Sequence, residues 1–418
     1  MEFFADLHLH SKYSRACSKN LDLENLSYYS KLKGLKFLIT GDFTHPLWFR
    51  EISQKLEEVY DGVYKVKGSS DEIYFLLGGE ISSIFSRQGL VKKIHYVVIL
   101  PKFELVEKLN KKLSLSFNLK SDGRPILGLD VIDFMKIIFD IYDKAIFIPA
   151  HIWTPWFSLY GSMSGFDSIS EAFGPYLNKV TAVETGLSSD PNMNWRLPEL
   201  DNFSIVSFSD AHSPHPHRLG REATLFRLNQ ISYLNIYQAM KEPNESNKIL
   251  MTVEFFPEEG KYHYDGHRLC GVRFSPEEAK KNNYVCPVCD KRVTIGVMSR
   301  VGKLAQRPAS FIDPQRPTFK RTTPLTQILG QIFSTEPTSK KIFSMYLEII
   351  NELGPELNIL IGKYDQELMN QKYPLVWEAL KKIDEGDITL EPGYDGEYGK
   401  VLINTEKKES LSDKKLFG

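Results

Sequence analysis

The chain has 418 residues, 42% of them hydrophobic and 25% charged, and a formal net charge of -1 at pH 7. That composition fits a globular protein and excludes a disordered or membrane-embedded chain; it also excludes a global electrostatic pull toward nucleic acid, so any such affinity must come from a local patch. No apolar stretch reaches the roughly 18 to 20 residues of a membrane span, and the opening M-E-F-F-A-D carries an acid where a signal peptide has a basic flank. These features place the chain in the cytoplasm with no membrane partner.

From the N-terminus to about residue 225, short apolar runs alternate with longer amphipathic ones. Residues 3–9, 37–40, 73–79, 94–100, 145–149, 180–183 and 203–208 read as strands, and 21–33, 49–59, 103–113 and 131–142 as helices with apolar residues recurring at three and four. The alternation predicts an α/β fold, a parallel sheet with covering helices that closes or nearly closes into a barrel. Helical periodicity returns at 325–333, 341–353 and 375–383. The predicted domains are a barrel over 1–250, a small metal-binding module over 251–300, a basic and mainly helical region over 301–403 and a disordered tail over 404–418.

His8, His10, Asp42, Glu80, His95, His151, Asp210 and His212 all fall within a predicted strand or just past its end. The carboxyl ends of parallel barrel strands converge on one mouth, where the chemistry of such folds sits. Two histidines at i and i+2 on a strand share a face and can chelate one ion, and a carboxylate such as Glu80 or Asp210 can bridge two. Zinc, manganese or iron suits this mixture of imidazole and carboxylate. Arg218 and Arg221, in the stretch after Ser209-Asp210-Ala211-His212, either clamp a phosphate or anchor their loop through ion pairs.

Four cysteines in a chain of this length do not make a disulfide framework. Three of them join a histidine as His267-x2-Cys270 and Cys286-x2-Cys289, the spacing of a closed structural zinc site. Pro287 suits the tight turn between the last two, and His263 is the rival to His267. Cys17 stands alone as a packed, inert thiol. Immediately after the motif, residues 291–321 hold eight Lys or Arg against one acid, Asp313. Lys291, Arg292, Arg300, Lys303 and Arg307 lead this run, which could follow a phosphate backbone.

The ordered set D-L-H-L-H, G-G-E-I, K-I-H-Y, P-A-H-I and S-D-A-H resembles the PHP (polymerase and histidinol phosphatase) superfamily. The resemblance implies a distorted seven-stranded β/α barrel that hydrolyses phosphoesters with up to three metal ions: zinc, with magnesium or manganese as alternatives. Carried over by motif, His8, His10, Glu80 and Asp210 surround one ion with Glu80 bridging; His95 and His151 hold a second; Asp42 and His212 serve a third or its bridging water. The chain departs from the pattern at Phe43, where a histidine is usual, and at Tyr13 and Ser14 after the H-x-H pair. His45 is a possible replacement from the following loop.

A barrel running into a single zinc module, a basic linker and a helical end resembles more narrowly the endonuclease Q family. The passages D-L-H-L-H-S-K-Y-S, S-K-L-K-G-L, P-A-H-I-W-T-P-W, G-L-S-S-D, S-D-A-H-S-P-H-P-H-R-L-G-R-E, G-K-Y-H and C-P-V-C carry this likeness from residue 2 to about 403. His267 stands where that family commonly has a first cysteine. The resemblance implies DNA as partner and strand cleavage 5′ to deaminated bases (deoxyuridine, deoxyinosine, deoxyxanthosine) and abasic sites. Reading such a base requires flipping it into a pocket; Trp153, Trp156 and Phe157 are the expected wall or wedge, ahead of Trp195 and Arg196. Two other readings stay open: a small-molecule phosphatase of the histidinol-phosphate type, and a DNA-binding barrel without activity.

Overall fold

The computed structural model describes residues 1–404; the expected tail lies outside the described residues apart from Asn404. Its strands are β1 (Glu2–Asp6), β2 (Leu35–Ile39), β3 (Leu56–Tyr60), β4 (Val63–Val66), β5 (Tyr74–Arg87), β6 (Leu90–Leu100), β7 (Ile126–Leu127), β8 (Ile146–Pro149), β9 (Ala182–Glu184), β10 (Ser204–Val206), β11 (Ala223–Arg227) and β12 (Lys248–Glu254). They are followed by β13 (Asp265–His267), β14 (Val272–Phe274), β15 (Thr318–Arg321), β16 (Ile388–Glu391) and β17 (Lys400–Ile403). Among the described residues one sheet holds eleven strands in the order β15-β12-β11-β1-β2-β5-β4-β3, with β6 and β7 also paired to β5 and β8 to β6.

The sheet is mixed, which corrects the parallel expectation. β1, β2 and β5 are parallel, but β6 runs antiparallel to both β5 and β8, and β11 antiparallel to β1. β5 and β6 form a long hairpin, so Glu80 and His95 lie within strands rather than at their ends. Beyond β8 the ring continues through Thr181 N–H to Phe147 O at 2.9 Å and Ile152 N–H to Glu184 O at 3.2 Å. β9 and β10 pair in parallel, and Leu9 bridges Ala211 to return to β1. A helix over Leu23–Lys33 shows why the connections start and stop where they do: Asp22 caps its first turn, accepting from Asn25 N–H, and Gly34 ends it at φ 84°.

The expected helix at 49–59 is instead a helix over Pro46–Lys55 followed by β3. Asp61-Gly62 closes a two-residue hairpin to β4, and that turn commits the β-branched and aromatic residues around it to strands. Both faces of the sheet pack into one apolar cluster that includes Phe37, Ile39, Phe75, Val97, Phe147 and Val183. A second cluster joins Leu325, Ile328, Tyr346, Ile349 and Leu380 in the helical part, whose helices span Leu325–Ile332, Lys340–Leu353, Glu356–Leu360, Gln366–Lys372 and Pro374–Glu385. The two halves are tied by a buried ion pair, Lys33 Nζ to Glu356 at 2.7 Å, and by β15, which pairs with β12. β12 itself crosses residue 250, so the barrel's sheet runs into the region after it. No helix among the described residues is long and apolar enough to cross a membrane.

Candidate metal centre and its surroundings

Side chains alternate along β1 and its extension, which turns Asp6, His8 and His10 to one side. Asp6 sits deepest. It accepts from Ser209 N–H (3.0 Å), Ser209 Oγ (2.5 Å) and Gly220 N–H (3.0 Å), tying down the segment that carries Asp210, while burial pushes its pKa up to about 6. His8 and His10 face the mouth. His10 Nε2 lies 3.0 Å from Asp210 Oδ1 and 3.4 Å from Glu80 Oε2; His8 Nε2 lies 3.6 and 3.7 Å from the same two atoms. The other Glu80 oxygen, Oε1, lies 2.7 Å from His95 Nδ1 and 3.1 Å from His151 Nε2.

Two ligand groups result, His8, His10, Glu80 and Asp210, and Glu80, His95 and His151, with ligand atoms within 4.8 Å of one another in each. Glu80 offers one oxygen to each group. A metal fits the first for a reason internal to the structure: His8 Nε2 is buried with no hydrogen-bond partner, aimed between two carboxylates. An orphaned buried nitrogen is costly unless something fills its lone pair.

The charges reinforce one another. Burial opposes the cationic form of His10, but Asp210 and Asp42 outweigh it and bring the pKa up to about 9; Glu184, Asp210 and Glu80 raise His8 well above its ordinary range in the same way. His95 goes the other way, pushed down to about 4 chiefly by burial, and so is neutral and able to donate a lone pair. Glu80 is held well below the usual carboxylate range, the pull of His95, Arg124 and His8 exceeding the cost of burial.

Backbone geometry marks the same place. Asp42, His151, Phe157 and Asp210 all have positive φ (42°, 30°, 61° and 47°), a region that costs non-glycine residues energy and clusters at functional sites. Gly186 makes room for one of them: a Cβ there would overlap the Cβ of His151.

Asp42 and His212 join neither group. The Asp42 carboxylate is occupied by protein donors, Oδ1 by Ser14 Oγ (2.9 Å) and His10 Nδ1 (3.3 Å), Oδ2 by Ser11 N–H (2.7 Å) and Ser11 Oγ (2.6 Å). It therefore orients His10 from behind. His212 turns its Nδ1 to Asp210 O at 2.9 Å, its ring beside His10. His45 does not reach the groups; it precedes the helix Pro46–Lys55 and stacks on Tyr13. Cys17 is half-buried, and burial drives its thiol far above the ordinary range, which fits an inert thiol.

His267, Cys270, Cys286 and Cys289 form the remaining group within the same 4.8 Å. His267 ends β13, Cys270 follows in the hairpin to β14, and Cys286 N–H donates to Lys291 O at 2.8 Å, folding the second pair into a tight turn. His263 is buried elsewhere and pushed down to about 4 by that burial.

The residues expected to contact a polynucleotide divide in two. Trp153 is fully buried with its Nε1–H on Asn194 Oδ1 (2.8 Å), a core side chain and not a stacking surface. Arg221 is buried and donates twice to Ser209 O at 3.1 Å, so of its two expected roles it takes the anchoring one. Arg300 is buried against Tyr160 O, Phe166 O and Asp167, and Arg307 binds Trp195 O and Asp201, which leaves neither directed at a phosphate backbone. Trp195 is also buried, and Arg196 Nε donates to Arg307 O. Trp156 and Phe157 are partly exposed; Phe157 packs on His95 with ring centroids 4.6 Å apart. No hydrogen bond or ion pair ties down the Arg218 guanidinium among the described residues. Lys291 and Arg292 are exposed, and Lys303 is 66% exposed, 3.9 Å from Asp167.

Two residues at the site carry no sequence motif. Glu184 accepts from His8 Nδ1 and from His151 N–H (2.7 Å), and Arg124 NH1 donates to Glu80 Oε2 (2.9 Å). An acid closing the run Thr181-Ala182-Val183-Glu184 could have been noticed as another strand-end carboxylate; nothing in the loop Ser121-Asp122-Gly123-Arg124 singles out its arginine.

Fold and site together define an α/β protein with two adjacent groups of candidate metal ligands that share one glutamate. No family model matches the sequence. The structure is similar over nearly its whole length to the lesion-specific endonuclease PfuEndoQ of Pyrococcus furiosus, with TM-score 0.85 and 29% identity, covering 98% of this chain and 97% of that one. It is equally similar to endonuclease Q in complex with a 27-mer duplex bearing an abasic lesion at the active site, with TM-score 0.86, 29% identity and 99% and 100% coverage. The chain thus carries the endonuclease Q fold. An uncharacterised protein of Methanocaldococcus jannaschii is 36% identical over 258 residues, 61% of this chain but only 32% of that relative's length.

Proposed function

We propose that this protein is a metal-dependent DNA endonuclease that cleaves the phosphodiester 5′ to deoxyuridine, deoxyinosine, deoxyxanthosine and abasic sites, acting in DNA repair in the cytoplasm. The observation that carries this reading is Glu80, whose two oxygens face two separate sets of imidazoles within an endonuclease Q fold. The ring β1-β2-β5-β6-β8-β9-β10 is read as the seven-stranded PHP barrel. Zinc is assigned to His267, Cys270, Cys286 and Cys289 from the thiolate-rich donor set, and zinc, manganese or magnesium to the barrel.

His8, His10, Glu80, Asp210, His95 and His151 would hold ions that, when bound, would lower the pKa of water and offset charge on the phosphate oxygens. The chain's own residues do the rest. Glu184 fixes the His8 ring through Nδ1 so that Nε2 points into the mouth, and Asp42 does the same for His10. Phe157, packed on His95 and partly exposed, offers a flat apolar surface beside the reacting centre against which a displaced base can rest. Arg218, Lys291, Arg292 and Lys303 keep their charges available for backbone phosphates, where Arg221, Arg300 and Arg307 do not.

The reading is tested with end-labelled duplexes containing one deoxyuridine, deoxyinosine or abasic site, incubated with zinc, manganese or magnesium. A nick 5′ to the lesion, lost in His8→Ala, is the expected result.

A further inference from the structure

The segment 122–125 enters the mouth from outside the strands and is held there by several independent contacts. Gly123 N–H donates to Tyr13 O at 3.0 Å, Ser82 N–H donates to Pro125 O at 3.0 Å, and Asp122 Oδ1 accepts from Arg15 N–H at 3.2 Å and Arg124 N–H at 3.3 Å. Gly123 lies so close to Asp42 that a Cβ would overlap the Asp42 carboxylate and the Ser14 hydroxyl, so only glycine lets the segment reach this far in.

What these contacts present is Arg124. One of its guanidinium donors rests on Glu80 Oε2 at 2.9 Å, and the side chain stays 29% exposed at the mouth. A guanidinium has five donors in a planar fork, so an arginine anchored by one of them keeps others for an incoming anion. Of the residues expected to hold a third ion, meanwhile, Asp42 is filled by Ser11, Ser14 and His10, and His212 joins neither ligand group.

We propose that Arg124 supplies the third positive charge of this site as a fixed guanidinium, in place of a third metal ion, and binds a non-bridging oxygen of the phosphate that is cleaved. The role in cleavage rests on the phosphodiesterase reading above. A planar fork matches two phosphate oxygens, and a preorganised donor in a partly dehydrated mouth contributes on the order of 10²- to 10³-fold in rate.

The test uses full-length Arg124→Ala and Arg124→Lys, with Arg124→Gln in place of alanine if that variant fails to fold by circular dichroism. Metal analysis of the wild type is expected to find two barrel ions besides the one at His267, Cys270, Cys286 and Cys289, a count unchanged in the variants. Inorganic phosphate, titrated calorimetrically into metal-loaded protein, should bind at least about tenfold more weakly to Arg124→Ala. Hydrolysis of bis(p-nitrophenyl) phosphate and of lesion duplex should both fall by on the order of 10²- to 10³-fold in kcat/KM, with partial rescue by added guanidinium ion. A third barrel ion in the wild type, loss of barrel metal in Arg124→Ala, or phosphate binding equal to wild type would each overturn the proposal. Arg124-dependent hydrolysis of the small diester without any nicking of lesion DNA would leave it standing and remove the endonuclease reading instead.

Discussion

Glu184 grips His8 from behind, with carboxylate oxygens 2.9 and 3.0 Å from Nδ1, and the same carboxylate accepts the backbone N–H of His151 at 2.7 Å. One buried acid thus sets the orientation of a ligand in each half of the centre without reaching a metal position itself. Glu184→Gln preserves shape but weakens the grip on the imidazole, and a partner of this kind is worth about 10- to 100-fold in metal affinity. Chelator competition should show that loss in the barrel metals while circular dichroism stays unchanged.

Cys286→Ser would remove one of the four candidate ligands grouped with His267, Cys270 and Cys289, in a segment with little apolar core of its own. Metal content should fall by one ion per chain. The segment around residues 265–294 should melt in a separate, lower transition, with the barrel's Tm displaced by only about 2–4 °C for each kcal/mol transmitted to it. Barrel metals and hydrolysis of a small phosphodiester should persist, a pattern measurable by metal analysis and calorimetry on the same sample.

A pH dependence follows from Glu222 and Glu254, both fully buried behind the site and each with one oxygen lacking a partner. Burial pushes Glu254 up to about 7, aided by the charge of Asp190, and burial together with the charge of Glu254 raises Glu222 well above the ordinary range. Between the unfolded value near 4.5 and the folded value near 7, the folded state holds a proton that the unfolded state has released. Stability therefore falls as pH rises through that window. Glu254→Gln, neutral at all pH, should be more stable than wild type above pH 7 and lose part of this slope. Thermal melts at a series of pH values from 5 to 8.5 check it.

The side-chain groups that come together could be read from period-two patterns and fixed spacings: His8-x-His10 on a strand, and His267-x2-Cys270 with Cys286-x2-Cys289. Asp42, expected to serve a third ion or its bridging water, has a carboxylate filled by Ser11 and Ser14, partners from another loop that meet it only in three dimensions. The basic run misled in a similar way. It contains one acid of its own, but the fold brings Asp167 to Arg300, Asp201 to Arg307 and Arg316, Asp384 to Lys320 and Asp190 to Arg321, turning much of an apparent polynucleotide track into a strap across the protein. The parallel expectation failed at β6 because strand-helix alternation says nothing of direction where Gln88-Gly89 turns the chain straight back. Glu184 and Arg124 could not be weighed, since their meaning lies in which atoms they touch.

The most direct measurement is the position of the cut. Metal-loaded protein is given a duplex with one deoxyuridine, labelled at either end, beside an undamaged control and a simple phosphomonoester, with Asp210→Ala in parallel. A single nick on the 5′ side of the deoxyuridine, absent from the control duplex and from Asp210→Ala, is the predicted result. An intact lesion strand with release of phosphate from the monoester, or equal cutting by Asp210→Ala, would contradict the account.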